Sequence, residues 1–164
     1  MPALRNLNID GHEARTSAET FGELARVPAI PTLSKLGLSS CTMDYADFNS
    51  LVSKHLANLA RLWIFSLRLI NCSTQDFERF LRTVGNAASL QRKLGTLKII
   101  FLSINGQIVH FHAPVETYCW NVTTDDDEEE NGWVTVERNP SIAVELTGVE
   151  DIVGGVEFLI DRMA

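Results

Sequence analysis

Cysteine is scarce in this chain, and the features that would take it through or across a membrane are missing. The three cysteines, Cys41, Cys72 and Cys119, are odd in number and far apart, which does not fit a disulfide framework. No run reaches the roughly 18 apolar residues needed to span a bilayer, and the N-terminus lacks the basic and apolar blocks of a signal peptide. We therefore expect a cytoplasmic or nuclear protein that contacts no membrane.

Motifs of catalysis and of phosphate binding are missing as well. The sequence contains no P-loop, no nucleophile elbow, no zincin motif and no dinucleotide-binding glycine pattern. His110 and His112 alternate as two ligands on one strand would, but no third ligand follows at a convincing spacing. The acidic run at residues 125–130 lacks the alternating ligands and internal glycine of an EF-hand loop. We predict a non-catalytic protein with no metal site and no cofactor.

Positive charge is nearly absent from the last third of the chain. The 164 residues carry 14 basic and 21 acidic side chains and are 45% apolar, which suits one globular domain. Residues 1–115 hold 12 basic and 8 acidic side chains, whereas residues 116–164 hold 2 and 13. Because such an acidic segment repels phosphate, we expect no nucleic-acid partner. The two parts, with formal charges of +4 and −11, could pair with each other.

What the sequence does have is a repeated pattern, Leu-x-x-Leu-x-Leu with isoleucine allowed at the last position. Its four copies lie 29, 26 and 35 residues apart and begin at Leu4, Leu33, Leu59 and Leu94. The first two spacings fall within the period of leucine-rich repeats, about 20–29 residues, and the second copy continues to Cys41 and Met43. Because alternating apolar residues are typical of a strand with one buried face, each copy predicts a short strand.

Apolar residues at helical spacing follow each of the first three copies. The residues that could cap these helices are Thr16, Ser17, Thr42, Asp44, Ser73 and Thr74. Gly85 and Asn86 are predicted to end the third helix. Stacked strand–helix units place parallel strands on a concave face and helices on a convex face. We therefore predict an α/β fold, a short leucine-rich-repeat solenoid of about four units over residues 1–104.

Two stretches, Pro31 to Cys41 and His55 to Ile64, carry a family resemblance. Through them the region 2–104 resembles the leucine-rich-repeat portion of fungal F-box-like proteins. The resemblance implies a protein-interaction module, the substrate-recognition part of an F-box-type ubiquitin-ligase adaptor. No F-box precedes the first repeat in this sequence, and here the sequence departs from the family pattern. We expect a partner to cover the uncapped N-terminal end, or oligomerisation there; otherwise the chain is a truncated fragment without independent function.

The outward positions of the predicted strands point to a protein-binding site on the concave face. When the copies are aligned, residues at equivalent outward positions form columns across the sheet. One column contains Asn8, Gly37, Trp63 and Lys98, and the next contains Asp10, Ser39, Phe65 and Ile100. A third column contains Asn6, Lys35, Arg61 and Thr96. Tryptophan, phenylalanine and arginine are enriched in interface cores. The predicted partner-binding residues are Arg61, Trp63, Phe65, Lys98 and Ile100. Arg61 and Lys98 would attract an acidic protein partner.

Two other interpretations of this patch are open. The acidic C-terminal segment could fold over it, or the strands could pair in a different register. A different class of function, a small-molecule or metal-binding or enzymatic domain centred on the C-terminal segment, would require His110, His112 and Glu116 to converge.

Residues 105–164 lose the repeat and are predicted to cap the solenoid as an irregular α+β segment. The predicted elements are strands at 107–112 and 141–146, a hairpin around the acidic run, and a helix at 149–163. Gly154 and Gly155 weaken that helix by about 1 kcal/mol each relative to alanine, so packing has to compensate.

Overall fold

In the computed structural model, residues 3–11, 18–110 and 143–161 are described, and they form a mixed α/β fold. The strands are β1 (Asn6–Asp10), β2 (Lys35–Ser39), β3 (Thr42–Asp44), β4 (Arg61–Phe65), β5 (Arg68–Ile70), β6 (Thr96–Ile100), β7 (Ser103–Ile104), β8 (Gln107–Ile108) and β9 (Ala143–Thr147). The helices are α1 (Ala18–Arg26), α2 (Tyr45–Ser53), α3 (Thr74–Gln91) and α4 (Val149–Asp161).

A five-stranded sheet in the order β1-β2-β4-β6-β9 contains the four predicted strands. The first four pair in parallel, with Gly37 opposite Asn8 and Trp63 opposite both Gly37 and Lys98. This is the register predicted by aligning the sequence copies. In β2, β4 and β6 the inward residues are at most 1% exposed, and they are Leu36, Leu38, Leu62, Ile64, Leu97 and Ile99. Because side chains alternate along a strand, the residues between them face the other way.

A second sheet, which was not predicted from the sequence, has the strand order β3-β5-β7-β8. The strand β7, at the end of the predicted repeat region 1–104, continues the parallel pairing of β3 with β5. The chain turns from the first sheet into the second at Ser40, Ser66 and Phe101, each with a left-handed φ of 50–54°. The amide N–H groups of Ser40 and Ser66 donate to the carbonyl groups of Phe65 and Ile100 at 2.9 and 2.8 Å, so each turn is tied to the next strand.

Two of the predicted helix caps are present. The Asp44 carboxylate accepts a hydrogen bond from the Ala46 amide at 2.9 Å at the start of α2. At the start of α3 the Ser73 hydroxyl accepts from the Asp76 amide at 3.1 Å, and the Asp76 carboxylate accepts from the Ser73 amide at 3.0 Å. This reciprocal capping box satisfies amide groups that have no partner inside the helix. The predicted cap at residues 16–17 lies outside the described residues.

The predicted end of the third helix is wrong. The α3 helix passes through Gly85 and Asn86 and continues to Gln91, and Arg92 ends it with a left-handed φ of 51°. Gly85 is buried where α3 meets α4, and a Cβ added there would lie 3.3 Å from Cγ1 of Val156. The glycine therefore allows the two helices to approach closely and does not end the first of them.

The last described elements belong to the same hydrophobic core as the repeats. The core includes Leu146 of β9 and Ile152 and Val156 of α4. Close packing compensates for the glycines of α4, since a Cβ on Gly155 would lie 2.7 Å from Cδ2 of Leu146. Of the strand predicted at 107–112, β8 contains two residues, Gln107 and Ile108, which pair with β7. Residues 109–110 are not in a strand, and 111–112 lie outside the described residues. The predicted hairpin, the acidic run and Cys119 lie outside the described residues.

At the N-terminal end, β1 lies at the edge of its sheet, where among the described residues it pairs with β2 alone. Its inward residues Leu7 and Ile9 are only partly buried, and Leu4 is 47% exposed. Oligomerisation at this edge stays a prediction. In the part of the chain that is described, no helix combines the length and the apolar character required to cross a bilayer.

Lys54, at the C-terminal end of α2, binds the C-terminal end of α1. Its Nζ donates to the carbonyl oxygens of Leu24, Ala25 and Val27 at 3.3, 2.8 and 2.5 Å. The last carbonyl groups of a helix lack partners within the helix and carry partial negative charge, so a cation is favoured there. Burial lowers the pKa of the Lys54 ammonium.

Replacing Lys54 by methionine keeps the apolar stem and removes the three donors. We expect Lys54→Met to lower the free energy of unfolding by about 1–2 kcal/mol, measured by urea denaturation. The matched control is Lys93→Met, because Lys93 is exposed, and there we expect a change within about 0.5 kcal/mol. Equal losses in the two variants would show that the bonds to α1 contribute nothing.

Candidate functional site

The side of the five-stranded sheet that faces away from the core carries two large aromatic side chains. Trp63 and Phe65 of β4 are 48% and 46% exposed, whereas Leu62 and Ile64 next to them are buried. We call this side the open face. The structure places all five predicted partner-binding residues on it, since Arg61, Trp63, Phe65, Lys98 and Ile100 occupy outward positions of adjacent strands.

Trp63 lies between two grooves on the open face. The first, of about 260 Å³, is lined by Lys35 and Arg61 near the beginning of the strands, and we call it the basic groove. The second, of about 280 Å³, is lined by Phe65 and Ile100 near the ends of the strands, and we call it the apolar groove. Both grooves reach across Gly37. Gly37 has no side chain, and the side-chain oxygen of Asn8 lies where a Cβ of residue 37 would be; the Trp63 indole beside it stays half exposed.

Lys98 lies on the open face as predicted, but its charge is already engaged. Its Nζ is 2.8 Å from Oε2 of Glu145, which lies opposite it on β9. Both side chains are about one-third exposed, so the pair closes one wall of the apolar groove without leaving a free cation there. Sequence reasoning missed Glu145 because β9 belongs to no repeat and joins the sheet antiparallel. The alternating residues at 143–147 were the only signal.

The basic groove differs from the apolar groove in that its cations are not paired with an acidic side chain among the described residues. Lys35 and Arg61 are exposed and lie directly opposite each other in the pairing of β2 with β4. Within residues 3–11, 18–110 and 143–161, neither side chain has an ion-pair or hydrogen-bond partner. Two like charges held side by side attract an anionic group more strongly than either does alone. Lys35 was in the predicted columns but not among the predicted binding residues.

Ion pairs join the basic repeats to the acidic C-terminal segment, as the charge distribution suggested. Besides the pair of Lys98 with Glu145, Arg92 lies 2.8 Å from Glu150 and Arg82 lies 3.7 Å from Glu157. The Arg92 and Arg82 pairs are solvent-exposed, and such pairs contribute about 0–1 kcal/mol each. The strand β9 pairs along the edge of β6, so the described part of the acidic segment extends the open face and does not cover Trp63.

The residues considered for metal binding and nucleophilic chemistry do not form a site in the described part of the chain. No group of three histidine, cysteine or acidic side chains there is placed to hold a metal ion. His110 is partly buried, whereas His112 and Glu116 lie outside the described residues. Burial, with a smaller contribution from the Asp76 carboxylate, raises the pKa of the Cys72 thiol to about 11, so this thiol stays protonated at neutral pH.

We compared the chain with protein-family models, with curated proteins and with solved structures, and no match was found in any of the three.

Proposed function

We propose that this chain is a non-catalytic protein-interaction module of the leucine-rich-repeat type, and that its open face binds a protein partner. The observation that carries the proposal is the exposure of Trp63 and Phe65 on adjacent outward positions of one strand. Large aromatic side chains on a solvated surface are characteristic of interface cores, where their burial supplies much of the binding energy.

Two features support a solenoid of repeats. The register pairs residues 29, 26 and 35 positions apart, as in Asn6 with Lys35, Lys35 with Arg61, and Arg61 with Thr96. These are the spacings of the sequence repeat. In addition, the left-handed turn between the two sheets recurs at Ser40, Ser66 and Phe101, which is expected when each repeat closes in the same way.

The finer proposal is that the bound partner is the substrate of an F-box-type ubiquitin-ligase adaptor. It comes from the resemblance of the region 2–104 to the repeat portion of such proteins. The genomic sequence immediately upstream of the codon for Met1 tests it. An in-frame segment encoding an F-box would support this assignment, and its absence would leave the interaction module without a link to the ligase.

The binding proposal is tested by capture on the immobilised chain. Trp63→Ser and Phe65→Ser are combined in one variant, and Leu90→Ser serves as the matched control because Leu90 is 81% exposed on α3. We expect a protein retained from a lysate of the source organism to bind the wild type and the Leu90→Ser control alike. Its affinity for the double variant should be lower by at least about tenfold, measured by calorimetry with the purified partner.

Circular dichroism of the double variant shows whether the fold is intact, which we expect because both substituted residues are half exposed. If the folded double variant retained the same proteins with unchanged affinity, the open face would not be the binding site.

A further inference from the structure

The two grooves beside Trp63 differ in chemistry, and this difference defines a class of partner. The basic groove contains Lys35 and Arg61, and the apolar groove contains Phe65 and Ile100. On the assumption that the proposed function holds, we propose that the open face binds a protein segment with a carboxylate side chain in the basic groove and an apolar side chain in the apolar groove.

The first step of the argument concerns the cations of the open face. Among the described residues, Lys98 is neutralised by Glu145 at 2.8 Å, whereas Lys35 and Arg61 have no acidic partner. Desolvating an unpaired cation is costly unless an anion or hydrogen-bond acceptor replaces its water. A partner that covers the basic groove therefore has to bring a carboxylate, and the guanidinium of Arg61 can accept it in bidentate geometry.

The second step concerns the other end of the open face. At the apolar groove, Phe65 lies opposite both Ser39 and Ile100 in the sheet. Among the described residues, the charges that line the groove belong to the closed pair of Lys98 and Glu145. An additional anion there would be repelled by Glu145, and an additional cation by Lys98. An uncharged aliphatic or aromatic side chain gains most, because it buries the exposed surface of Phe65.

The third step is the separation of the two grooves. Arg61 and Phe65 are four residues apart on one strand, which at about 3.3 Å per residue is roughly 13 Å. A segment that bridges the grooves passes over Trp63 and contacts the indole. An extended segment covers this distance with an acidic residue and an apolar residue about four positions apart, in either chain direction.

Single-stranded nucleic acid is the other polymer that pairs anions with stackable groups. The open face disfavours it, since a continuous phosphate backbone that leaves the basic groove would reach Glu145 at the apolar groove. A partner with one localised carboxylate avoids that repulsion.

The experiment is selection from a random-peptide phage library on three folded proteins: wild type, Trp63→Ser, and the charge-reversed double variant Lys35→Glu with Arg61→Glu. We expect the wild type to enrich peptides that combine Asp or Glu with an aromatic or aliphatic residue. The charge-reversed variant should bind those peptides at least about tenfold more weakly and should itself enrich peptides containing Lys or Arg. A fluorescent oligothymidylate is titrated into each protein in parallel.

The outcomes separate this inference from the proposed function. If no peptide is enriched on the wild type over Trp63→Ser, the proposed binding function fails, and the inference fails with it. If Trp63-dependent peptides are enriched but carry no acidic residue, or bind the charge-reversed variant equally well, only the inference is overturned. Tighter binding of the oligothymidylate than of any selected peptide would also overturn it, in favour of a nucleic-acid partner.

Discussion

Phe80→Ala is expected to lower the free energy of unfolding by about 3–5 kcal/mol, the largest effect among the substitutions considered. Phe80 of α3 is 1% exposed, and its ring centroid lies 4.7 Å from that of Phe48 on α2 and 5.5 Å from that of Phe77. Truncation removes the transfer free energy of the ring and leaves a cavity between two helices that the fixed sheet prevents from closing. Urea denaturation at neutral pH measures the loss.

The matched control is the same chemical change on the open face. Phe65→Ala removes a ring that is 46% exposed, so we expect a loss below about 1 kcal/mol. A small stability effect at Phe65 combined with weakened partner binding would show that this residue serves recognition. Comparable losses at positions 65 and 80 would mean that Phe65 is part of the core, and would argue against the open face as a binding surface.

The strands of the first sheet could be predicted from the sequence because one physical pattern dictates them. Leu36 and Leu38, like Leu62 and Ile64, alternate with polar or exposed residues, and a slip of one residue would expose all of them. The second sheet could not be predicted in the same way. The strands β5 and β7 have three and two residues, which is too short to show the alternation of apolar and polar residues typical of a strand.

Glycine was the residue most easily misread. Gly85 has the sequence signature of a helix end, yet it lies in the interior of α3 because Val156 packs against it from a helix more than sixty residues later. Only the tertiary contact distinguishes the two roles. The residues around Gly85 do not reveal this contact, because the small side chain is required by Val156 on another helix.

The candidate site was predicted in part for a related reason. The columns that bring Trp63 and Phe65 next to Gly37 and Ile100 follow from the repeat alone. The repeat alone does not predict which cations of the open face are paired, because Glu145, which pairs with Lys98, lies outside the repeat. From the sequence, the attraction of an acidic partner was predicted for Lys98 and Arg61; in the described part of the structure Lys98 is paired with Glu145, whereas Lys35 and Arg61 have no acidic partner.

His55 is expected to give a second effect, a loss of stability in mild acid. The side chain is 2% exposed, and its Nδ1 is buried without a hydrogen-bond partner in the described part of the chain. Burial, and to a lesser extent the charge of Lys54, lowers the pKa of this imidazole below its ordinary value of 6.5. The folded protein thus favours the neutral ring, whereas the unfolded chain takes up a proton as the pH falls below about 6.5.

The sign of the dependence follows from that difference. The stability is fully present above a pH of about 6.5 and is lost at up to about 1.4 kcal/mol per pH unit below it, until the pKa of the folded state is reached. Urea denaturation of the wild type at pH about 7.5 and about 5.5 measures the loss, and His55→Leu should remove most of it. Asp76, whose pKa is lowered mainly by hydrogen bonds from Ser73, takes up its proton only at more acidic pH, so it does not interfere.

A direct titration keeps this prediction testable even if His55→Leu does not fold. The imidazole proton resonances of the wild type, followed by NMR, should show a histidine that stays neutral below its ordinary pKa, and the assignment to His55 comes from its contacts with the buried core. If every histidine titrated near 6.5, the ring of His55 would be hydrated in solution. That result would overturn the prediction that the folded protein favours the neutral ring of His55.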